Sequence, residues 1–151
     1  MDSELRELYQ QVILDHNKSP RNFRKLENAN YEAEGYNPLC GDRIDVFVLL
    51  ENNIVKDITF QGSGCAISKA SASLMTSMLK GKSKAEAEEL FNKFHDLITG
   101  KLGDNPSIED LGKLAVFAGV KEFPARVKCA SLAWHTMHSA LSKEEKIIST
   151  E

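Results

Sequence analysis

The feature that most constrains this chain is a change of hydrophobic period at Cys65. Upstream, Arg43 to Leu50 alternates, with Ile44, Val46, Val48 and Leu50 on one face. Glu51-Asn52-Asn53 supplies a turn, and Ile54 to Gln61 is again strand-like, with Ile58 and Phe60 pointing one way. A period of two with a polar turn between two runs predicts a β-hairpin. Tyr31 to Asn37 reads as a short edge strand stopped at Asn37-Pro38. Downstream of Cys65 every periodic stretch is helical. Strands first and helices afterwards, without βαβ alternation, define an α+β chain. The expected object is a small three-stranded antiparallel sheet with helices packed on one face.

The helices announce themselves by spacing and caps. Leu5, Leu8, Tyr9, Val12 and Ile13 predict an N-terminal amphipathic helix, closed by Asn17 to Pro20. Ala66 to Lys80 is rich in Ala and Ser, suiting close approach to its neighbours, and Gly81 is a natural stop. Ser83-Lys84-Ala85-Glu86 has the form of a capping box. Gly100 to Pro106 forms a long loop, after which Ser107 is expected to cap a shorter helix carrying Leu111, Leu114 and Ala115. Pro124 fits the first turn of a last helix ending near Leu141, with Trp134 as packing. The 151 residues suit one domain, 1–151, with a charged tail from about 143 expected to fray.

Composition excludes several classes of function. No run approaches the roughly 20 apolar residues of a membrane span, and Met1-Asp2-Ser3-Glu4 does not begin a secretory signal. A reducing cytoplasm is the expected setting, with no membrane partner. A formal net charge of −3 is the wrong sign for a nucleic-acid footprint. The one basic cluster, Lys18, Arg21, Arg24 and Lys25, reads as a solvated or protein-docking surface. No P-loop, GxGxxG, GxSxG or HExxH string occurs.

The chemistry therefore concentrates on Cys40-Gly41-Asp42, on Cys65 within Gly62-Ser63-Gly64-Cys65-Ala66, and on Cys129. An odd number of thiols is poor material for a disulfide framework. Three thiolates and a carboxylate make a tetrahedral set for a soft divalent metal such as zinc. All three cysteines fall at element ends, where convergence is possible. The alternative is that they are buried core thiols and that Asp42 only bonds its own turn. The histidines are poorer candidates. On a helix, His135 and His138 leave the face of Cys129, His95 is most simply a surface residue, and His16 suits a helix end.

These strings resemble the IscU/NifU N-terminal superfamily of iron–sulfur cluster assembly proteins, and within it the SufU-type branch. The resemblance spans nearly the whole chain. It rests on Leu8-Tyr9 with Asp15-His16 and Ser19-Pro20-Arg21-Asn22, on Asn37 through Asp42, on Gly62 through Ser68 with Ala70 to Ser73, and on Phe123 through Trp134. IscU-type scaffolds carry a histidine before the third cysteine and a proline-rich chaperone string upstream. This chain has Lys128 and Phe123-Pro124-Ala125-Arg126-Val127 in those places, and a longer stretch between Cys65 and Cys129. The SufU-type branch implies zinc held by Cys40, Asp42, Cys65 and Cys129, with Cys40 as sulfur acceptor. It also implies a SufS-type cysteine desulfurase as partner, carrying its own pyridoxal phosphate, and downstream Suf components as recipients. On docking, a group of the desulfurase would take the place of Cys40, freeing it for exchange. Arg126 and the Lys18–Lys25 cluster are the docking candidates. The chain is thus expected to serve a desulfurase rather than act as a stand-alone enzyme. Two further readings stand beside it: a scaffold assembling a transient [2Fe–2S] cluster on Cys40, Cys65 and Cys129, and a purely structural zinc domain.

Overall fold

The computed structural model describes residues 3–38, 41–101, 111–142 and 147–149. The expectations for Cys40 and for Ser107 as a cap lie outside the described residues. The elements are α1 (Ser3–Lys18), β1 (Tyr31–Asn37), β2 (Asp42–Glu51), β3 (Ile54–Ser63), α2 (Ala66–Leu79), α3 (Lys84–Ile98), a 3-10 helix (Gly112–Glu122), α4 (Pro124–Leu141) and β4 (Ile147–Ser149).

β1, β2 and β3 form the expected antiparallel sheet, in the order β3-β2-β1-β4. Asn52 and Asn53 at the β2–β3 turn both adopt positive φ, 54° and 63°, as a two-residue turn matched to strand twist requires. The period-two pattern puts Ile44, Val46, Val48 and Leu50 in the core with Ile58 and Phe60. Val55 joins them because the register slips between Leu49 and Leu50, and this bulge re-aims Val55 inward despite its odd spacing from Ile58.

The sheet exceeds the sequence expectation by one strand. Ile147–Ser149 pair in parallel with Glu34–Tyr36, so β1 is internal rather than an edge. The tail expected to fray from about 143 thus contains a short strand. Its charged composition conceals this, because three paired residues carry no period of their own.

Helices α2 and α4 lie against the apolar face of the sheet. α4 crosses β1 at Gly35, where any Cβ would run into the Thr136 hydroxyl and Leu132. α2 carries small residues (Ala70, Ser71, Ala72, Ser73) that are fully buried, and Ser71 Oγ donates to the Ala130 carbonyl of α4 at 2.6 Å. α3 begins with the predicted capping box, and Trp134 stacks on Phe94 at 4.8 Å between centroids. Leu111, Leu114 and Ala115 are buried; Leu114 and Ala115 lie on the 3-10 helix, whereas residues 102–110, where the expected helix would begin, lie outside the described residues. Among the described residues, no helix is long and apolar enough to cross a membrane.

Candidate metal centre

Backbone geometry delivers three of the four candidate side chains to one point. Asp42 is the first residue of β2, and its Cα partner across the ladder is Asn37, the last of β1. The period of two therefore turns Asn37 and Asp42 to the same face as Ile44. Cys65 is the N-cap of α2, where the Ser68 backbone N–H donates to its Sγ at 3.4 Å. Cys129 lies in the second turn of α4 and is buried, whereas Cys65 is exposed.

The approach to Cys65 depends on glycine. At Gly62, φ is +139° and a Cβ would meet the Arg43 carbonyl. At Gly64 the obstacle is Asp42 itself, whose Oδ1 would lie 2.6 Å from the added carbon. The strand end can thus pass directly over the carboxylate, and the Cys65 N–H donates to Asp42 Oδ1 at 2.8 Å. That bond leaves Oδ2 turned toward the sulfurs, 3.9 Å from Cys65 Sγ. Ligand atoms of Asp42, Cys65 and Cys129 all fall within 4.8 Å of one another, and Asp42 is fully buried. Among the described residues, the contacts of Asp42 reach Asn37 of β1 and Cys65 at the start of α2.

The donor set fits zinc. Zn–S bonds of about 2.3 Å and Zn–O bonds of about 2.0 Å place tetrahedral ligand atoms about 3.5 Å apart. The 3.9 Å separation of Cys65 Sγ and Asp42 Oδ2 needs only a small contraction. Two sulfurs with one carboxylate are soft enough to favour zinc or iron over magnesium or calcium.

The histidines stay away from this group. His135 and His138 leave the Cys129 face as expected, and with His95 they surround Phe91 at 4.8 to 6.4 Å between centroids. Burial, then the neighbouring His95 and His138, lowers the His135 pKa. His16 lies in the last turn of α1, at the helix end expected of it. It is buried, with Nδ1 2.7 Å from Ser73 Oγ on α2, and Ser73 Oγ also accepts the Arg21 N–H. The predicted basic cluster is partly neutralised: Arg21 pairs with Asp15 and Arg24 with Asp57. Arg126 lies over the Phe123 ring, 4.4 Å from its centroid. Sequence reasoning missed Asn37, whose buried amide touches both Asp42 and Cys129. A polar residue at the end of a strand looks like a turn former, and only its inward register distinguishes it.

Comparison with known proteins agrees with this fold. The NifU-like N terminal domain pattern matches residues 8–146, and the chain belongs to that family, which includes the SufU and IscU iron–sulfur cluster assembly proteins. It is 45% identical over 144 residues to the zinc-dependent sulfurtransferase SufU of Bacillus subtilis, covering 95% of this chain and 96% of that one. It is 39% identical over 141 residues to the iron–sulfur cluster assembly scaffold protein IscU of Streptococcus pyogenes, covering 93% and 87%. A crystal structure from Fervidobacterium islandicum, of a candidate cluster assembly scaffold for the SUF system, superposes with a TM-score of 0.81 at 36% identity. It covers 89% of this chain and 97% of the other.

Proposed function

We propose that this protein is a zinc-dependent sulfur acceptor that takes persulfide sulfur from a SufS-type cysteine desulfurase and passes it to Suf cluster-assembly components in a reducing cytoplasm. The observation that carries the reading is the convergence of Asp42, Cys65 and Cys129 within 4.8 Å. Asp42 and Asn37 close the β1–β2 ladder, so Cys40 lies on the short connection between two paired residues. That tether supports Cys40 as the fourth ligand of zinc and as the acceptor.

Zinc, when bound, keeps its thiolate ligands deprotonated and occupies the lone pair with which they would attack. Cys129 is buried in α4 and Cys65 is fixed as a helix cap, so neither side chain is placed to leave. Cys40, on its connection, is the thiol assigned to exchange. Its thiolate forms a bond to the terminal sulfur of the desulfurase persulfide. The persulfide S–S bond breaks, and the electron pair departs on the desulfurase cysteine. A thiol reductant then frees the sulfur for assembly. Arg126 and the Lys18–Lys25 cluster remain the proposed docking elements.

The test is alanine release by the desulfurase with a thiol reductant present. The protein should accelerate release, and Cys40→Ala should abolish the acceleration; full stimulation by Cys40→Ala overturns the acceptor assignment. The 39% identity to an IscU scaffold supports a second reading, in which Cys40, Cys65 and Cys129 hold a transient [2Fe–2S] cluster. A stable visible chromophore after anaerobic iron and sulfide reconstitution in the presence of zinc would favour it.

A further inference from the structure

Asn37 is fully buried, and nothing in the sulfur chemistry above uses it. Its Nδ2 lies 3.6 Å from Cys129 Sγ and 3.5 Å from Asp42 Oδ2. One amide nitrogen carries two protons, so a single side chain can serve both acceptors. The orientation follows from chemistry, because the flipped amide would set its carbonyl oxygen against a carboxylate and a sulfur.

The electrostatic need for such a donor is plain. Three thiolates and a carboxylate outweigh the charge of a zinc dication, leaving the centre anionic in a site where Asp42 and Cys129 have lost their water. Protein N–H groups must take the place of that water. Cys65 has the Ser68 backbone N–H, and Asp42 Oδ1 has the Cys65 backbone N–H. Among the described residues, the Asn37 amide is a donor to both Asp42 Oδ2 and Cys129 Sγ. Because Asn37 is the Cα partner of Asp42, the ladder itself fixes the amide over both atoms.

We propose that Asn37 is the positioning residue of the metal centre. Its amide orients Asp42 and Cys129 toward zinc and withdraws charge from the Cys129 thiolate, making Cys129 the retained ligand rather than an exchanging one. This rests on the zinc reading above. Hydrogen bonds from outside the ligand set typically change metal affinity about 10–100-fold, and that is the effect expected here.

The first measurement uses the unmodified protein loaded with 113Cd. A scalar coupling should appear between the metal and a side-chain amide proton of Asn37, beside one to the Ser68 backbone N–H as internal reference. The Ser68 coupling without an Asn37 coupling overturns the proposal. The second measurement uses Asn37→Leu, which keeps volume and removes the donor. Chelator competition should show zinc held about 10–100-fold more weakly. In the cobalt-substituted variant, the sulfur-to-metal charge-transfer band should move to lower energy at unchanged thiolate count. Unchanged affinity and band energy overturn the proposal. Should the variant fail to fold, the cadmium measurement decides. Wild-type protein that binds none of these metals through Cys129 overturns the zinc reading itself, and the role of Asn37 with it.

Discussion

Replacing Gly64 by alanine places a methyl group 2.6 Å from Asp42 Oδ1, 3.0 Å from its Cγ and 3.2 Å from its Cβ. The Gly64 backbone lies outside the left-handed region, so alanine is conformationally allowed and only the contact matters. Unstrained carbon contacts sit at about 3.5 Å or beyond, so the carboxylate must retreat by about 0.5–1 Å. Rotating the carboxylate about its own axis relieves Oδ1 but not Cγ. The retreat stretches the 2.8 Å bond from the Cys65 N–H and moves Oδ2 away from the sulfurs. A hydrogen bond to a charged group contributes about 1.5–3 kcal/mol, which corresponds to about 10- to 100-fold in an equilibrium constant. Gly64→Ala should therefore bind zinc about that much more weakly in a chelator competition, with the metal-free protein also losing thermal stability. Gly81→Ala is the control. Gly81 has φ +88° and no atom near its added Cβ, so alanine there should cost about 1–2 kcal/mol of stability and leave zinc affinity alone. Wild-type zinc affinity in Gly64→Ala would refute the geometry of the centre.

Two further outcomes test the frame around it. Burial, then the Arg21 charge, holds the His16 pKa below its ordinary value. A group whose folded pKa is depressed in this way contributes stability above pH 6.5 that is lost as pH falls through the folded value; His135 acts in the same direction. Denaturant titrations of the metal-free protein between neutral pH and pH 5 should show stability declining, and His16→Gln should flatten the decline without removing it. Ser83 accepts the Glu86 N–H at 3.0 Å, and Glu86 accepts the Ser83 N–H in return. Ser83→Ala should cost about 1 kcal/mol, read in calorimetry as a fall in Tm of about 2–4 °C.

The local elements were legible because their causes are local. Alternation over Arg43–Leu50, the Asn52-Asn53 turn, the Ser83–Glu86 box and Pro124 at a helix start each act within a few residues, and each sits where the pattern places it. The bulge that turns Val55 inward was not legible, since it is a property of the pairing of two strands. The burial of His16 depends on Ser73, 57 positions away. The β4 pairing depends on β1 across most of the chain.

The candidate centre divides along the same line. The sequence by itself determined which residues have metal chemistry and set Cys65 and Cys129 at element ends, because caps and periods are written in neighbouring residues. Only the tertiary structure decided that Asp42, Cys65 and Cys129 meet, since α4 must first pack across β1 and β2. It also decided that Asn37, 92 positions from Cys129, touches that thiol. Convergence over such distances follows from burying the shared apolar face of sheet and helices, a non-directional force that no short window of residues encodes.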